Sequence, residues 1–425
     1  MPQSTTAIII ILCLFALYIA DFFPVAVTTM LGMVAMVFFG LLSYSEAFTA
    51  FSNSAVMLVI GMIIVVDALL ESGVGGIFGR MLARMVGSHE RTFVLAVFLS
   101  AAVLSGFMTN APLVAMYMSF IAAIADASEG RITKKNTYLP LAMGALIGGT
   151  GTLIGSTAPL LANNALITYG VEPMGFFTPF PIAASIILVV ALCYRFFLYD
   201  KQVKWFDFEE VKDEDELAIN MVSLDRRRAV ISVSVFFVCL LLFIIQPFDW
   251  DVGLIAITGA LILIMTGCID GKKALRNMQW SALVTLGAAL AVAQGFVKSG
   301  AGEIIIHWLI SLLGDWVVNP IVLVTLFLLA GYTLSLFMAN GSLVSMLAAI
   351  AVPMAIDAEC DPTPVALACV FGASLAMATP VASTSITMVE VAGYRFKDYF
   401  RAGGAVGLIG LATAWVTIIL LYGLY

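Results

Sequence analysis

The chain has 425 residues, 62% of them hydrophobic and 11% charged, with a mean hydropathy of +1.07; a water-soluble chain carries roughly 25% charge, so this composition is that of an integral membrane protein. Its 20 Lys and Arg against 27 Asp and Glu leave a net charge of -7, and no basic tract is long enough to follow a nucleic-acid backbone, which removes nucleic acid as a partner. Two separated histidines, His89 and His307, and six cysteines without a CxxC pair exclude a transition-metal enzyme site.

A transmembrane helix needs about 20 mainly apolar residues. In chain order, full spans are predicted near 5–21, 24–43, 54–70, 138–168, 176–198, 229–247, 251–269, 281–297, 364–393 and 402–423. The apolar stretches 92–127 and 317–356 are too short in either arm to cross and return as two normal helices, and small polar residues interrupt each in the middle. They are predicted to be re-entrant hairpins, which the bilayer tolerates only where they line a protein cavity. The opening residues MPQSTTAIII lack the basic start and cleavage site of a signal peptide, so the first span is read as retained.

Cytoplasmic loops collect Lys and Arg. The proposed spans put segments 71–91, 128–137, 194–228, 270–280 and 394–401 on one side, with nineteen of the 20 basic residues and only Lys298 outside them. That side is read as the cytoplasm of a cell whose inner membrane holds the protein, and both termini are then extracytoplasmic. Residues 199–228, with KDEDE at 212–216 and DRRR at 225–228, form a cytoplasmic linker between two halves.

The halves are internal repeats. LSGFMTNAPLVAM at 104–116 matches LSLFMANGSLVSM at 334–346, 230 residues on, at eight of thirteen positions, and at an offset of 227 Ile154-Gly155-Ser156-Thr157 meets Val381-Ala382-Ser383-Thr384. Residues 1–198 (hairpin 92–127, broken helix 138–168) and 229–425 (hairpin 317–356, broken helix 364–393) each carry five full spans. An odd number turns the second copy upside down. The fold class expected is all-α: about ten transmembrane helices plus two re-entrant hairpins in two inverted-topology repeats. Inverted repeats with interrupted helices at matching places are the signature of a secondary transporter with a midplane site.

Each hairpin breaks at an asparagine, in Thr109-Asn110-Ala111-Pro112 and in Ala339-Asn340-Gly341-Ser342. Asparagine is a strong N-cap and Pro suits the first turn, so each Asn is expected to begin the returning arm, whose free N–H groups and dipole favour an anion. The oxygens of Ser105 and Asn110, and of Ser335 and Asn340, with the carbonyls that end the preceding arms, suit a hard cation such as sodium. The second break in each half, Gly148 to Pro159 and Ala378 to Ser385, turns hydroxyls toward the cavity; it lacks the Gly-Lys-Ser/Thr ending of a P-loop. No Lys or Arg stands beside either break, so an anion there is balanced by dipoles, hydroxyls and co-bound cations. Asp67, deep in a span, and Asp126, near the end of a hairpin arm, are intramembrane carboxylates and so functional candidates. Asp67 breaks the symmetry, its repeat equivalent being Gln294; it is read as a proton or cation ligand or as an interface residue beside Glu71. Arg80, Arg84, Trp308 and Trp316 read as interfacial. No nucleophile–base pair lies near the breaks, and an enzyme is not expected.

The paired hairpin motifs, the run GGTGTLIGSTAP and the ending FGASLAMATPVASTSITMVEVAGYRFKDYFRAG closely resemble the divalent anion:sodium symporter (DASS) family of the ion transporter superfamily, over nearly the whole chain. The resemblance implies a homodimer in the lipid bilayer. It also implies an elevator-like transport domain and symport of a dicarboxylate, citrate or sulfate with sodium ions, and no organic cofactor. It implies one sodium site at Ser105, Thr109, Asn110 and a carbonyl near Gly151. A second would lie at Ser335, the Met338 carbonyl, Asn340 and a carbonyl near Ala378. Substrate would touch Thr109, Asn110, Ala111, Ala339, Asn340, Gly341, Thr379 and Pro380. Where the family has Ser-Asn-Thr at both tips, this chain keeps only the hydroxyl of Thr109; Ser342, Ser156, Thr157, Ser383 and Thr384 are the candidates to replace the rest. The alternative within the superfamily is a sodium/proton antiporter or metalloid exporter that uses Asp67.

Overall fold

The computed structural model describes residues 2–20, 22–73, 84, 89–128, 130–208, 225–245, 250–278, 280–301, 304, 319–336, 340–379 and 383–424. Among them there is helix and no strand. Arg80, Trp308, Trp316, Met338, Ala339, Pro380 and the acidic run of the linker lie outside the described residues, as do the side chains of Asp126 and Ser342.

Apolar runs set the helices, and polar or Pro residues set where they begin. Gln3–Ala20 (α1) and Val25–Phe38 (α2), the latter entered through Pro24, precede a short surface helix, Tyr44–Thr49 (α3). A capping box starts α3: Ser43 accepts from the Glu46 N–H and Glu46 from the Ser43 N–H, two orphan donors satisfied reciprocally. Ser54–Glu71 (α4) follows. The first hairpin is Glu90–Ser105 (α5) and Asn110–Ala127 (α6); the broken helix is Lys134–Gly149 (α7) and Thr157–Thr168 (α8). Phe180–Cys193 (α9) runs through a π-helical turn into Tyr199–Trp205 (α10), past residue 198 where the first half was expected to end.

The second half has Arg226–Ile245 (α11), Val252–Met265 (α12, capped by Asp251), Gly271–Arg276 (α13, capped by Asp270) and Trp280–Lys298 (α14). Pro320–Ser335 (α15) and Asn340–Asp357 (α16) form the second hairpin; Pro362–Ser374 (α17) and Thr384–Met388 (α18) form the second broken helix. Phe396–Asp398 (α19) leads through another π-helical turn into Gly404–Tyr422 (α20). Helix α16 begins 230 residues after α6.

Among the described residues three helical runs, Tyr44–Glu71, Phe180–Trp205 and Phe396–Tyr422, are long and apolar enough to cross a membrane, and eight shorter apolar helices of 10–17 residues accompany them. The hairpin arms differ from expectation in length. They have 16 and 18 residues in each half, roughly 24 and 27 Å at 1.5 Å per residue. Each approaches a full crossing, so the hairpins are defined by their polar tips and not by short arms.

Packing interleaves the halves. Within each, the first hairpin arm lies along the first part of the broken helix: α5 on α7, α15 on α17. The second parts cross over, α8 against α16 and α17, and α18 against α6 and α7. Meanwhile α4 packs along α12 and α11, α2 along α14, and α9 along α20.

Two prolines inside these helices test how the fold satisfies backbone groups. A helical Pro removes the donor for the carbonyl four residues earlier, a serious loss where water is scarce. Pro140 in α7 leaves the Asn136 carbonyl, which accepts from Gln202 Nε2 of α10 at 2.8 Å. Pro353 in α16 leaves the Ala349 carbonyl, which accepts from the Tyr169 hydroxyl at 2.9 Å. In α7 the Tyr394 hydroxyl also enters the ladder, accepting from the Leu139 N–H at 3.0 Å and donating to the Lys135 carbonyl at 2.5 Å.

Candidate binding site at the hairpin tips

The first hairpin turns over Gly106 to Thr109. Ser105, fully buried at the end of α5, donates its hydroxyl to Asn110 Oδ1. In the second hairpin Ser335, also fully buried, donates to Asn340 Oδ1 at 2.6 Å. Each tip is thus closed by a Ser–Asn bond five residues long. The asparagine expected to cap the first returning arm is instead its first helical residue. Thr109 occupies the cap position with φ -63° and ψ 141° and makes no side-chain cap bond. The Asn side chain bridges back to the preceding arm, because its amide oxygen is already engaged by Ser105.

The broken helices tie onto these tips. Thr152, in the first break, donates to the Gly106 carbonyl and accepts from the Ile154 and Gly155 N–H groups at 3.3 Å each. Thr379, in the second, donates to the Leu336 carbonyl at 2.7 Å. The sequence placed Thr152 among the break hydroxyls expected to face the cavity; its alignment with Thr379 at the 227-residue offset was the signal for this tie to the tip.

The glycines of the first break let oxygens converge. A Cβ on Gly155 would lie 2.5 Å from the Ser105 carbonyl oxygen and 2.6 Å from that of Gly149, and one on Gly149 would run into Asn110 Oδ1. The carbonyls of Ser105, Gly149 and Gly155 therefore gather with the Asn110 amide oxygen around one small volume, a hard-oxygen set suited to a monovalent cation. A Cβ on Gly151 would instead meet the Gly148 carbonyl oxygen and Ala183 and Phe180 of α9.

The remaining expected residues distribute as follows. Ala111 is half-buried in the first turn of α6. Ser156 caps α8 without a side-chain cap bond, and its hydroxyl is buried with no hydrogen-bond partner among the described residues. Thr157, the first residue of α8, faces Gly341: a Cβ on that glycine would lie 2.9 Å from the Thr157 hydroxyl. A hydroxyl of the first half thus occupies the space that a side chain at the second tip would fill. Ala378, 3% exposed, adjoins Thr379. Ser383 accepts from the Ser385 N–H at 3.3 Å as the cap of α18, and Thr384 is exposed. The structure brings Ser105, Asn110, Gly149 and Gly155 together at one tip, Ser335, Asn340 and Thr379 at the other, and Thr157 with Gly341 between the halves. Helices α6, α8 and α16 begin at these residues, so their free N–H groups and positive dipole ends belong to the same region.

A small cavity of about 20 Å³ opens beside the first tip. Asp67 and Thr109 are the polar side chains of its wall, and Ile63, Val66, Met108 and Ile154 contribute to its apolar part.

Buried hydroxyls, amide oxygens and helix starts at two related tips are groups with which a membrane carrier can hold small ions. A family model described as citrate transporter matches residues 8–372, most of the chain, and the protein belongs to that family. It is 25% identical over 422 residues to an uncharacterized transporter of Methanocaldococcus jannaschii, covering 97% of this chain and 93% of that one. Against the sodium-dependent dicarboxylate transporter SdcS of Staphylococcus aureus it is 22% identical over 339 residues, 72% of this chain and 64% of the relative. The crystal structure of the YdaH transporter of Alcanivorax borkumensis shares the fold, with a TM-score of 0.59 at 16% identity over 89% of this chain and 86% of that one. The protein is a multi-pass membrane transporter.

Proposed function

We propose that the protein is a sodium-coupled symporter of a small divalent anion of the dicarboxylate, citrate or sulfate class. The observation that supports this most is the doubled Ser–Asn bridge, Ser105 to Asn110 and Ser335 to Asn340, with a threonine hydroxyl closing each tip from the neighbouring break. Each bridge sets an amide oxygen beside a hydroxyl oxygen, two hard ligand types that suit a cation. The first residues of α6 and α16 offer N–H groups to the anion, with Thr109, Ser156 and Thr157 as hydroxyl donors. Sodium bound behind each tip neutralises charge that no Lys or Arg beside the breaks supplies, so anion and cation stabilise one another's binding. The citrate transporter family and the sodium dependence of the Staphylococcus aureus relative support the substrate class and the coupling ion.

The matching elements of the two halves further support an inverted repeat, with residues 199–228 as a cytoplasmic linker and both termini extracytoplasmic in the inner membrane. We read the two hairpins and broken helices as one transport body that slides, elevator-like, within a homodimer. Uptake of labelled citrate, succinate and sulfate into proteoliposomes, with and without an inward sodium gradient, tests the proposal. Sodium-stimulated uptake of at least one supports it. Sodium-driven proton flux with no anion uptake selects the antiporter reading, and export of a metalloid anion selects the exporter.

A further inference from the structure

Asp67 lies in α4, near the end that leads to Glu71 and Ser72. The Asn277 side chain lies close enough to act on its carboxyl, while Oδ2 is buried with no hydrogen-bond partner among the described residues. That carboxyl helps line the cavity whose opposite wall includes Thr109 and Met108 of the first hairpin tip. At about 20 Å³ the cavity has room for roughly one water-sized occupant. Its wall is otherwise apolar, where a bare carboxylate oxygen is costly.

The charged groups around this carboxylate are mostly engaged with one another, Lys273 being the cation that acts on it electrostatically. Glu71, one turn on, pairs with Lys273 of α13 at 2.8 Å, so that ammonium is shared between the two carboxylates and not held by Asp67 alone. From α11, Asp225 donates its N–H to the Ser72 carbonyl and Arg228 pairs with Asp225 at 3.4 Å; Ser232 donates to the Ala68 carbonyl at 3.4 Å. On α12, Asp251 sits at the opposite end of α4, accepting from Ser54 at 2.6 Å. On α14, Lys298 pairs with Glu46. Among the described residues no ion pair includes Asp67.

We propose that Asp67 is a further coupling-cation site, filled by one monovalent cation, a proton or a sodium ion, that neutralises the carboxylate against the first hairpin tip. The partly exposed Glu71–Lys273 pair stands one turn from Asp67, between it and the loop-270 side. Because α4 and the hairpin tip share the cavity, an empty, ionised Asp67 disfavours movement of the tip past α4, and a filled one permits it. This rests on reading the chain as an ion-coupled transporter, but the site itself is read without any anion.

The test uses the full-length purified protein in detergent and in proteoliposomes. Dicyclohexylcarbodiimide modifies protonated carboxyls in apolar sites, so its adduct is mapped by mass spectrometry from pH 5 to pH 8, with and without sodium. Sodium stabilisation is followed by thermal shift in wild type, Asp67→Asn and Glu71→Gln. Labelling of Asp67 that sodium leaves unchanged identifies the occupant as a proton; labelling that sodium suppresses identifies sodium as a competitor. A sodium response at least tenfold weaker in Asp67→Asn, and unchanged in Glu71→Gln, assigns sodium without labelling. An unlabelled Asp67 together with identical sodium responses in wild type and Asp67→Asn overturns the proposal. Failure of every anion to be taken up would overturn the symport reading and leave these measurements standing.

Discussion

The Tyr169 hydroxyl donates to the Ala349 carbonyl at 2.9 Å, joining the end of α8 in the first half to the middle of α16 in the second. That carbonyl lost its helical donor to Pro353, and a residue 180 positions away restores one. The bond fixes the second hairpin arm to the broken helix whose first residue, Thr157, faces the tip of that same hairpin.

Tyr169→Phe should therefore leave a buried carbonyl unsatisfied, at about 1 to 3 kcal/mol, and lower Tm. Restoring the backbone donor should compensate: Pro353→Ala in the Tyr169→Phe background should recover stability relative to Tyr169→Phe alone. Thermal unfolding of the four proteins of this cycle checks it, and a Tyr169→Phe loss that Pro353→Ala does not reduce would mean that the hydroxyl acts elsewhere.

The threonines that tie the breaks to the tips give an asymmetric pair. Thr152→Val removes a donor to Gly106 and an acceptor for two N–H groups, whereas Thr379→Val removes the donor to Leu336. Each should cost about 1 to 3 kcal/mol, with Thr152→Val the more severe. Because the two bonds share no partner, the double variant should add the single losses to within about 0.5 kcal/mol. Urea unfolding of the three variants reads both the order and the additivity.

Much of this architecture is written locally. Asp251, Asp361 and Asn319, each directly before a helix, mark their helix starts, and the repeated Ser and Asn mark both tips because the same spacing occurs twice. What stays hidden depends on distant partners. Pro140 and Pro353 advertise a broken ladder, but nothing local names Gln202 or Tyr169 as the side chains that mend it. Nor does the sequence show that Thr157 fills the space beside Gly341, since 184 residues separate them. Asn110 was expected as the cap, but Thr109 before it is also able to stand there, and the extended backbone of Thr109 puts it in the cap position. Gly149 and Gly155 were visible as a helix-breaking run, whereas their use in crowding four oxygens together requires the folded approach of α5 to the break.

Orientation offers a prediction independent of the site. In a background without the six native cysteines, of which Cys13 is exposed, single cysteines at the exposed Lys272 and Lys397 should react with an impermeant maleimide only after the membrane is opened. One at the exposed Asp361 should react in intact cells. The nineteen-to-one distribution of basic residues motivates this. Labelling of positions 272 and 361 from one side would remove the inverted repeat.

The asparagines bear most directly on coupling. Asn110 is the first residue of α6 and not its cap, so Asn110→Ala should spare the helix start and remove one amide oxygen from a buried oxygen cluster. A hydrogen bond or ligand to a charge contributes about 1.5 to 3 kcal/mol, so sodium affinity should fall by roughly one to two orders of magnitude, and likewise for Asn340→Ala at the other tip. Asn→Asp at either position should separate the two ligands: the added charge attracts sodium, and it repels an anion that approaches the same helix start. Thermal-shift titrations with sodium, at fixed ionic strength set by choline, measure the first effect because a ligand that binds only the native state raises Tm. Citrate and succinate titrations at saturating sodium measure the second. The expected pattern is Ala variants that require far more sodium and Asp variants that keep sodium but lose the anion. Sodium stabilisation identical in wild type and both Ala variants would show that Asn110 and Asn340 only close their tips through Ser105 and Ser335, and that the cations bind elsewhere.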